Sequence, residues 1–237
     1  MFSERPVLVV LHGANGSIAT MEPLTRLLRD RIEVRPVNLL GHGGRPVPDG
    51  YTVAELAEDV IAWLDQSGIR RAHIFGYSFG AYLALYLARH FPARVRSAAT
   101  LAAKYVYDHR AVRHLTYLTN PGRLAQPGNP RPAEMTRDHY PRDWTRITRN
   151  NRALFTELGR EPALGEDDIR AIEAPVLVMS GETDPLVPIE EARALTGLLK
   201  RWRLGTFPGP AHPLPTTPLP GVADTILRFI AEVDESR

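Results

Sequence analysis

The 237-residue sequence predicts an α/β fold: a mostly parallel sheet flanked by helices on both faces. Three observations carry this. Short runs of β-branched residues and leucine are apolar throughout rather than alternating, segments of helical apolar spacing separate them, and several runs end in glycine. Continuous apolar runs suit strands buried on both sides, and strands joined through helices pair in parallel.

Residues 7–11 are the first such run, ending in His12-Gly13, and residues 34–40 the second, ending in Gly41-His42-Gly43. Between them, residues 21–29 carry Leu24, Leu27 and Leu28 at helical spacing. Thr52 and Glu55 have the form of a capping box, and Leu56, Val60, Ile61 and Leu64 make the apolar stripe of a helix that stops at Gly68. Residues 72–75 read as a strand, 79–90 as a helix ended before Pro92, and 95–102 as a strand. The rhythm resumes with a strand at 175–180, a helix at 189–199, a strand at 202–207 and a helix at 222–233.

Residues 104–168 break the pattern. They are rich in proline and arginine, with only short amphipathic pieces at 111–118 and 147–158, and residues 104–160 hold 11 Lys or Arg against 5 Asp or Glu. Too few apolar side chains are present for a second core. The segment therefore reads as a lid inserted into one domain made of residues 1–103 and 169–237.

Composition bounds the function. The chain is 43% hydrophobic and 24% charged, which suits a globular protein, and its net charge of +2 gives no ground for expecting nucleic acid. Without cysteine there is no disulfide framework, thiol nucleophile or thiolate metal site. No apolar run reaches the length of a membrane span. The start, MFSERPVLVVLHG, lacks the regions of a secretory leader, so a cytoplasmic setting is expected. The oligomeric state stays open, because apolar lid residues suit a subunit contact as well as a pocket.

Gly76-Tyr77-Ser78-Phe79-Gly80 lies where a strand gives way to a helix. Two glycines remove the Cβ atoms that would crowd a sharp strand-to-helix turn, and such a turn presents Ser78 at its crest beside the Phe79 amide. Ser78 is thus a candidate nucleophile; the alternative at this stage is a simple helix cap. A serine nucleophile needs a base and an orienting acid. Asp184 follows the strand at 175–180 and His212 the strand at 202–207, so Ser78, Asp184 and His212 each leave the carboxyl end of a strand in a workable order. The loop His12-Gly13-Ala14-Asn15-Gly16 offers the Ala14 amide as a second oxyanion donor beside Phe79, with Asn15 as a rival and His12 as a loop-orienting residue.

On these motifs, together with Leu39-Leu40-Gly41-His42-Gly43, Gly181-Glu182-Thr183-Asp184 and Gly209-Pro210-Ala211-His212, the chain resembles the α/β-hydrolase superfamily, specifically its compact lid-bearing serine carboxylesterase and C–C hydrolase branch. The resemblance implies Ser78 as nucleophile, Asp184 as acid, His212 as base and residues 104–168 as the lid. Departures are also visible. The N-terminal hairpin is shortened or missing, Asn38 stands where relatives often carry aspartate, and the histidine loop reads Ala-His-Pro-Leu. A serine at 78 disfavours the dehalogenase and epoxide-hydrolase branches, which attack with a carboxylate.

The expected chemistry is hydrolysis of a small-molecule carboxylic ester through an acyl-enzyme, with no cofactor and no metal. Asn15, Tyr77, Leu115, Leu118, Trp144 and Phe155 are the candidate pocket residues, joined on the lid by Tyr117 and Leu154. The lid arginines suit either an anionic substrate or a solvated face. Thioester hydrolysis, C–C bond hydrolysis and acyl transfer use the same triad, and a non-catalytic ligand-binding protein on the same fold is the alternative from another class.

Overall fold

Adjacent residues of the first strand, Val7–Leu11 (β1), enter different apolar clusters: Leu8 and Val10 join one, Val9 and Leu11 the other. A strand buried on both sides needs a helix layer above and below it. A computed structural model, describing residues 6–236, shows how the chain supplies them. Strands β1, β2 (Glu33–Val37), β3 (Ala72–Tyr77), β4 (Val95–Leu101), β5 (Val176–Gly181) and β6 (Trp202–Phe207) form one sheet in the order β2-β1-β3-β4-β5-β6, parallel throughout. The shortened-hairpin expectation falls on residues ahead of Pro6, outside the described ones.

Right-handed crossovers assign each helix to a face. The chain steps one way from β1 to β2 through α1 (Ile18–Leu28), and the other way through α2 (Val53–Gln66), α3 (Phe79–His90) and α9 (Ile189–Leu198). Accordingly Met21, Leu24 and Leu28 of α1 share a cluster with Val222, Ile226, Phe229 and Ile230 of the final helix α10 (Leu219–Glu235). Leu56, Val60 and Leu64 of α2 and Leu195 of α9 pack with α3 on the opposite face.

Local chemistry sets the boundaries. Thr52 and Glu55 close the expected capping box, with the Glu55 amide donating to Thr52 Oγ1 at 3.2 Å and the Thr52 amide donating to Glu55 Oε2 at 2.7 Å. A second box at Ser17 and Thr20 starts α1 earlier than apolar spacing alone suggests. β2 stops at Val37 rather than residue 40, because the chain peels away and Leu39 N–H donates to His12 Nε2 at 3.1 Å. Pro36 sits in an edge strand, where the missing donor is tolerated.

Residues 104–168 form α4 (His109–Leu118), α5 (Pro121–Leu124), α6 (Arg131–His139), α7 (Trp144–Arg160) and the start of α8 (Glu166–Arg170). α4 has no fully buried residue, whereas α7 sends Leu154, Phe155 and Leu158 into the main core. The segment thus borrows its apolar cover from the sheet domain. Its entry is fastened by Glu191 of α9, whose carboxylate pairs with Lys104 and accepts the Tyr105 and Val106 amides at 2.9 and 3.1 Å. Among the described residues no helix is long and apolar enough to cross a membrane.

Two glycine substitutions should move stability in opposite directions. A Cβ on Gly80 would lie 2.5 Å from His12 O and 2.6 Å from Leu11 O, so Gly80→Ala must force two backbones apart. It should cost about 2 kcal/mol or more. Gly197 is exposed in α9 with open space around it, so Gly197→Ala should add roughly 0.5–1 kcal/mol through helix propensity. Urea denaturation midpoints of the two variants check both signs.

Candidate active site

The strand order reverses at β1, and in open parallel sheets the carboxyl edge at such a switch point is where ligands bind. Ser78 follows β3 at that point, with φ 56° and ψ −118°, a conformation L residues avoid unless held. Its N–H donates to Leu101 O at 2.9 Å and its carbonyl accepts the Ala81 amide at 2.9 Å. The turn closes only because of flanking glycines: a Cβ on Gly76 would meet Gly80 O at 2.0 Å. The Ser78 side chain makes no cap hydrogen bond to α3, which removes the helix-cap alternative.

Its hydroxyl instead lies 2.8 Å from His212 Nε2. His212 Nδ1 lies 3.0 and 3.1 Å from the two oxygens of Asp184. A carboxylate only accepts, so Nδ1 carries the proton and Nε2 is left to accept from Ser78. Asp184 also accepts the amides of Leu186 (2.9 Å), Val187 (2.8 Å) and Ala211 (2.8 Å). Burial pushes this carboxyl up, but His212 and the Val187 and Leu186 amides outweigh burial and hold it below the usual value. Close approach of the two loops depends on Gly181, where a Cβ would lie 2.6 Å from both Ala211 N and Gly209 O. Tyr77 lies with its ring 5.1 Å from that of His212 and donates to Ala211 O at 3.0 Å, so it braces the histidine loop.

The loop after β1 comes up against the serine: a Cβ on Gly13 would be 3.2 Å from Ser78 Cβ. Ala14 follows directly, and Phe79 supplies an amide of the first turn of α3, which has no carbonyl within the helix to bond. His12 is fully buried, donating through Nδ1 to Gly13 O at 2.8 Å and accepting Leu39 N–H on Nε2, as a loop-orienting residue should. Asn15 is occupied: its Oδ1 accepts from Asn151 at 2.7 Å and its carbonyl from His139 Nε2 at 3.2 Å.

Of the other pocket candidates, Phe155 is buried and meets Phe79 edge-on at 5.9 Å, and Leu115 packs partly buried against the same cluster. Leu118 and Trp144 are half-buried at the end of α4 and the start of α7. Tyr117 is exposed beneath the Arg123 guanidinium. Sequence reasoning missed His139, Asn151 and Tyr51. They meet His42 and Asn15 in one buried polar network, with Tyr51 OH donating to Asn151 Oδ1 at 2.6 Å. No local motif marks them, since each finds its partner far along the chain.

A second Ser–His–Asp grouping exists. His73 Nδ1 is 2.8 Å from Ser97 Oγ and its Nε2 is 3.4 Å from Asp234 on α10, to which Arg96 also pairs. It has the residue types of a hydrolytic triad. His73 and Ser97 are each 1% exposed, however, and sit near the amino ends of β3 and β4, away from the carboxyl edge that carries Ser78. This set anchors α10 to the sheet.

A serine on a strained turn after β3 is thus hydrogen-bonded through a histidine after β6 to an aspartate after β5. The chain belongs to the alpha/beta hydrolase family, matched over residues 8–225. A lactonase is among its sequence relatives, and an esterase is among the proteins that share its fold. It is 28% identical over 210 residues to 3-oxoadipate enol-lactonase 2 of Acinetobacter baylyi, covering 81% of this chain and 77% of that protein. It superposes on a thermophilic esterase from Thermogutta terrifontis with a TM-score of 0.72 at 22% identity, covering 97% and 90% of the two chains. The enol-lactonase of Burkholderia xenovorans LB400 gives 0.74 at 18% identity, covering 98% and 92%.

Three buried histidines should make the fold less stable in acid. Burial, opposed by the Gly13 carbonyl and reinforced by His139, brings His12 down to about 4. Burial likewise holds His42 well below its ordinary value and lowers His139. Between about 4 and 6.5 the unfolded chain binds a proton at position 12 that the folded chain refuses, so stability rises with pH across that window. Acidification from pH 7 to pH 4 should therefore remove about 3 kcal/mol through His12 alone. Urea denaturation at the two pH values measures this, and His12→Asn should shrink the difference.

Proposed function

We propose that the protein is a serine hydrolase that cleaves a carboxylic ester through an acyl-enzyme, in the serine carboxylesterase branch of its family. One observation carries the reading: the unbroken hydrogen-bond chain from Ser78 Oγ through His212 to Asp184, on a strained turn at the carboxyl edge of the sheet.

In this scheme His212 Nε2 takes the Ser78 proton as Oγ attacks the ester carbonyl. Asp184 fixes the tautomer and stabilises the imidazolium. The amides of Phe79 and Ala14 hold the tetrahedral oxyanion, whose collapse expels the alcohol with the proton returned by His212. Water activated by the same base then releases the acid and restores Ser78. The chain's own groups supply every proton transfer.

Residues 104–168 act as the lid. Phe155 beside Phe79, with Leu115 against the same cluster, supports an apolar acyl or aryl site on the lid side of the serine. Leu118 and Trp144 extend it. The lactonase named above and the esterase of similar fold support an ester or lactone as the substrate class.

Ester turnover and labelling by a fluorophosphonate probe test the assignment. Ser78→Ala should abolish labelling and reduce turnover to background, and Asp184→Asn should lower kcat by about 10³–10⁴-fold through loss of the correct histidine tautomer. Unchanged turnover by purified Ser78→Ala would sink the reading. A panel of esters, lactones, thioesters and vinylogous diketones of graded acyl length then fixes the bond cleaved, with the highest kcat/KM expected on an ester or lactone.

A further inference from the structure

The loop that carries Ala14 is held from the lid. Asn15, the next residue, stands at φ 57°, in the left-handed region that L residues occupy only when constrained. Both of its acceptors are engaged by lid side chains: the carbonyl by His139 of α6, the side-chain Oδ1 by Asn151 of α7.

These two donors are themselves fixed. Gly43 N–H donates to His139 Nδ1 at 3.0 Å, so the ring is the neutral tautomer with its proton on Nε2, aimed at Asn15 O. Asn151 accepts the Tyr51 hydroxyl on Oδ1, and its second amide hydrogen points to His42 Nε2 at 3.4 Å. The His42 proton lies on Nδ1, directed at Leu40 O at 3.0 Å. His139 is fully buried and Asn151 is 1% exposed. A buried polar network in which every member is satisfied has one geometry, and a change at one group propagates to the next.

We propose that His139 and Asn151 are positioning residues for the oxyanion hole: they lock Asn15 in its left-handed conformation and so keep the adjacent Ala14 amide aimed at the space above Ser78. The inference rests on reading Ser78 as the nucleophile and adds that the hole is complete only while the lid is docked. Other contacts staple the lid without touching Asn15. Arg142 donates to Gly44 O at 3.2 Å, and Asn150 to Pro48 O at 2.9 Å. They separate a role in aiming Ala14 from a role in holding the lid down.

Hydrolysis of p-nitrophenyl acetate by wild type, His139→Asn, His139→Gln, Arg142→Ala and Ser78→Ala, with a thermal midpoint for each, decides the matter. Asparagine can still accept from Gly43 N–H but is too short to reach Asn15 O, whereas the glutamine amide extends to the position of Nε2. The expected result is a kcat about tenfold lower in His139→Asn, less than the 10²–10³ of deleting an oxyanion donor, with KM within about threefold of wild type. His139→Gln should recover most of that loss, and Arg142→Ala should keep a near wild-type kcat. Equal kcat in the Asn and Gln variants, a defect confined to KM, or an equal loss in Arg142→Ala would overturn the proposal. If His139→Asn does not fold, Asn151→Ala takes its place: a fall in kcat alone supports the proposal and any other profile overturns it. Turnover surviving in Ser78→Ala would instead mark failure of the underlying functional reading.

Discussion

Backbone crowding between β1 and the β3–α3 turn is the constraint on which the rest of the structure depends. A Cβ at Gly76 would strike Gly80 O, one at Gly80 would strike the carbonyls of Leu11 and His12, and one at Gly13 would press on Ser78. Three chain segments therefore meet with no side chain between them. That contact forces Ser78 into a disfavoured conformation, which the Leu101 carbonyl and the first turn of α3 hold in place. Strain stored in this way persists only where the surroundings over-determine it. Its consequence is a hydroxyl that does not serve its own helix and meets His212 instead.

Convergence on that point comes from topology. β1, β3, β5 and β6 all point their carboxyl ends the same way, so the loops bearing Ala14, Ser78, Asp184 and His212 emerge on one edge. The His73–Ser97–Asp234 grouping shows that residue types alone do not make such a site. With similar hydrogen-bonding partners, its His73 and Ser97 lie in the packed interior, and it fastens α10.

Residues 104–168 are joined to the core by two kinds of interaction. Apolar residues of α7 sink into the main cluster, which supplies most of the docking energy through burial. A polar seam of His139, Arg142, Asn150 and Asn151 runs along the glycine-rich loop after β2 and the loop after β1. Gly44 is cut to fit this seam, since a Cβ there would lie 2.6 Å from Tyr140 O. Directional hydrogen bonds specify register where apolar packing alone would permit sliding.

By itself the sequence determined the strand and helix alternation, the strand-to-helix turn at Ser78 and the order of serine, aspartate and histidine. Apolar periodicity, capping pairs and glycine spacing are local properties, so α3 and β6 could be read to their end residues. Other boundaries moved for tertiary reasons: β2 ends early because Leu39 turns its amide to a histidine 27 positions away. α6 had no apolar signature, burying only Met135 and His139, and so stayed illegible. Only the tertiary structure decided that Ser78 bonds His212 rather than its own helix, that Asn15 is taken up by side chains of α6 and α7, and that His139 belongs beside the site. His139 and Asn151 lie 124 and 136 positions from Asn15, and pairing of buried donors with acceptors over such separations has no periodicity for a linear sequence to display.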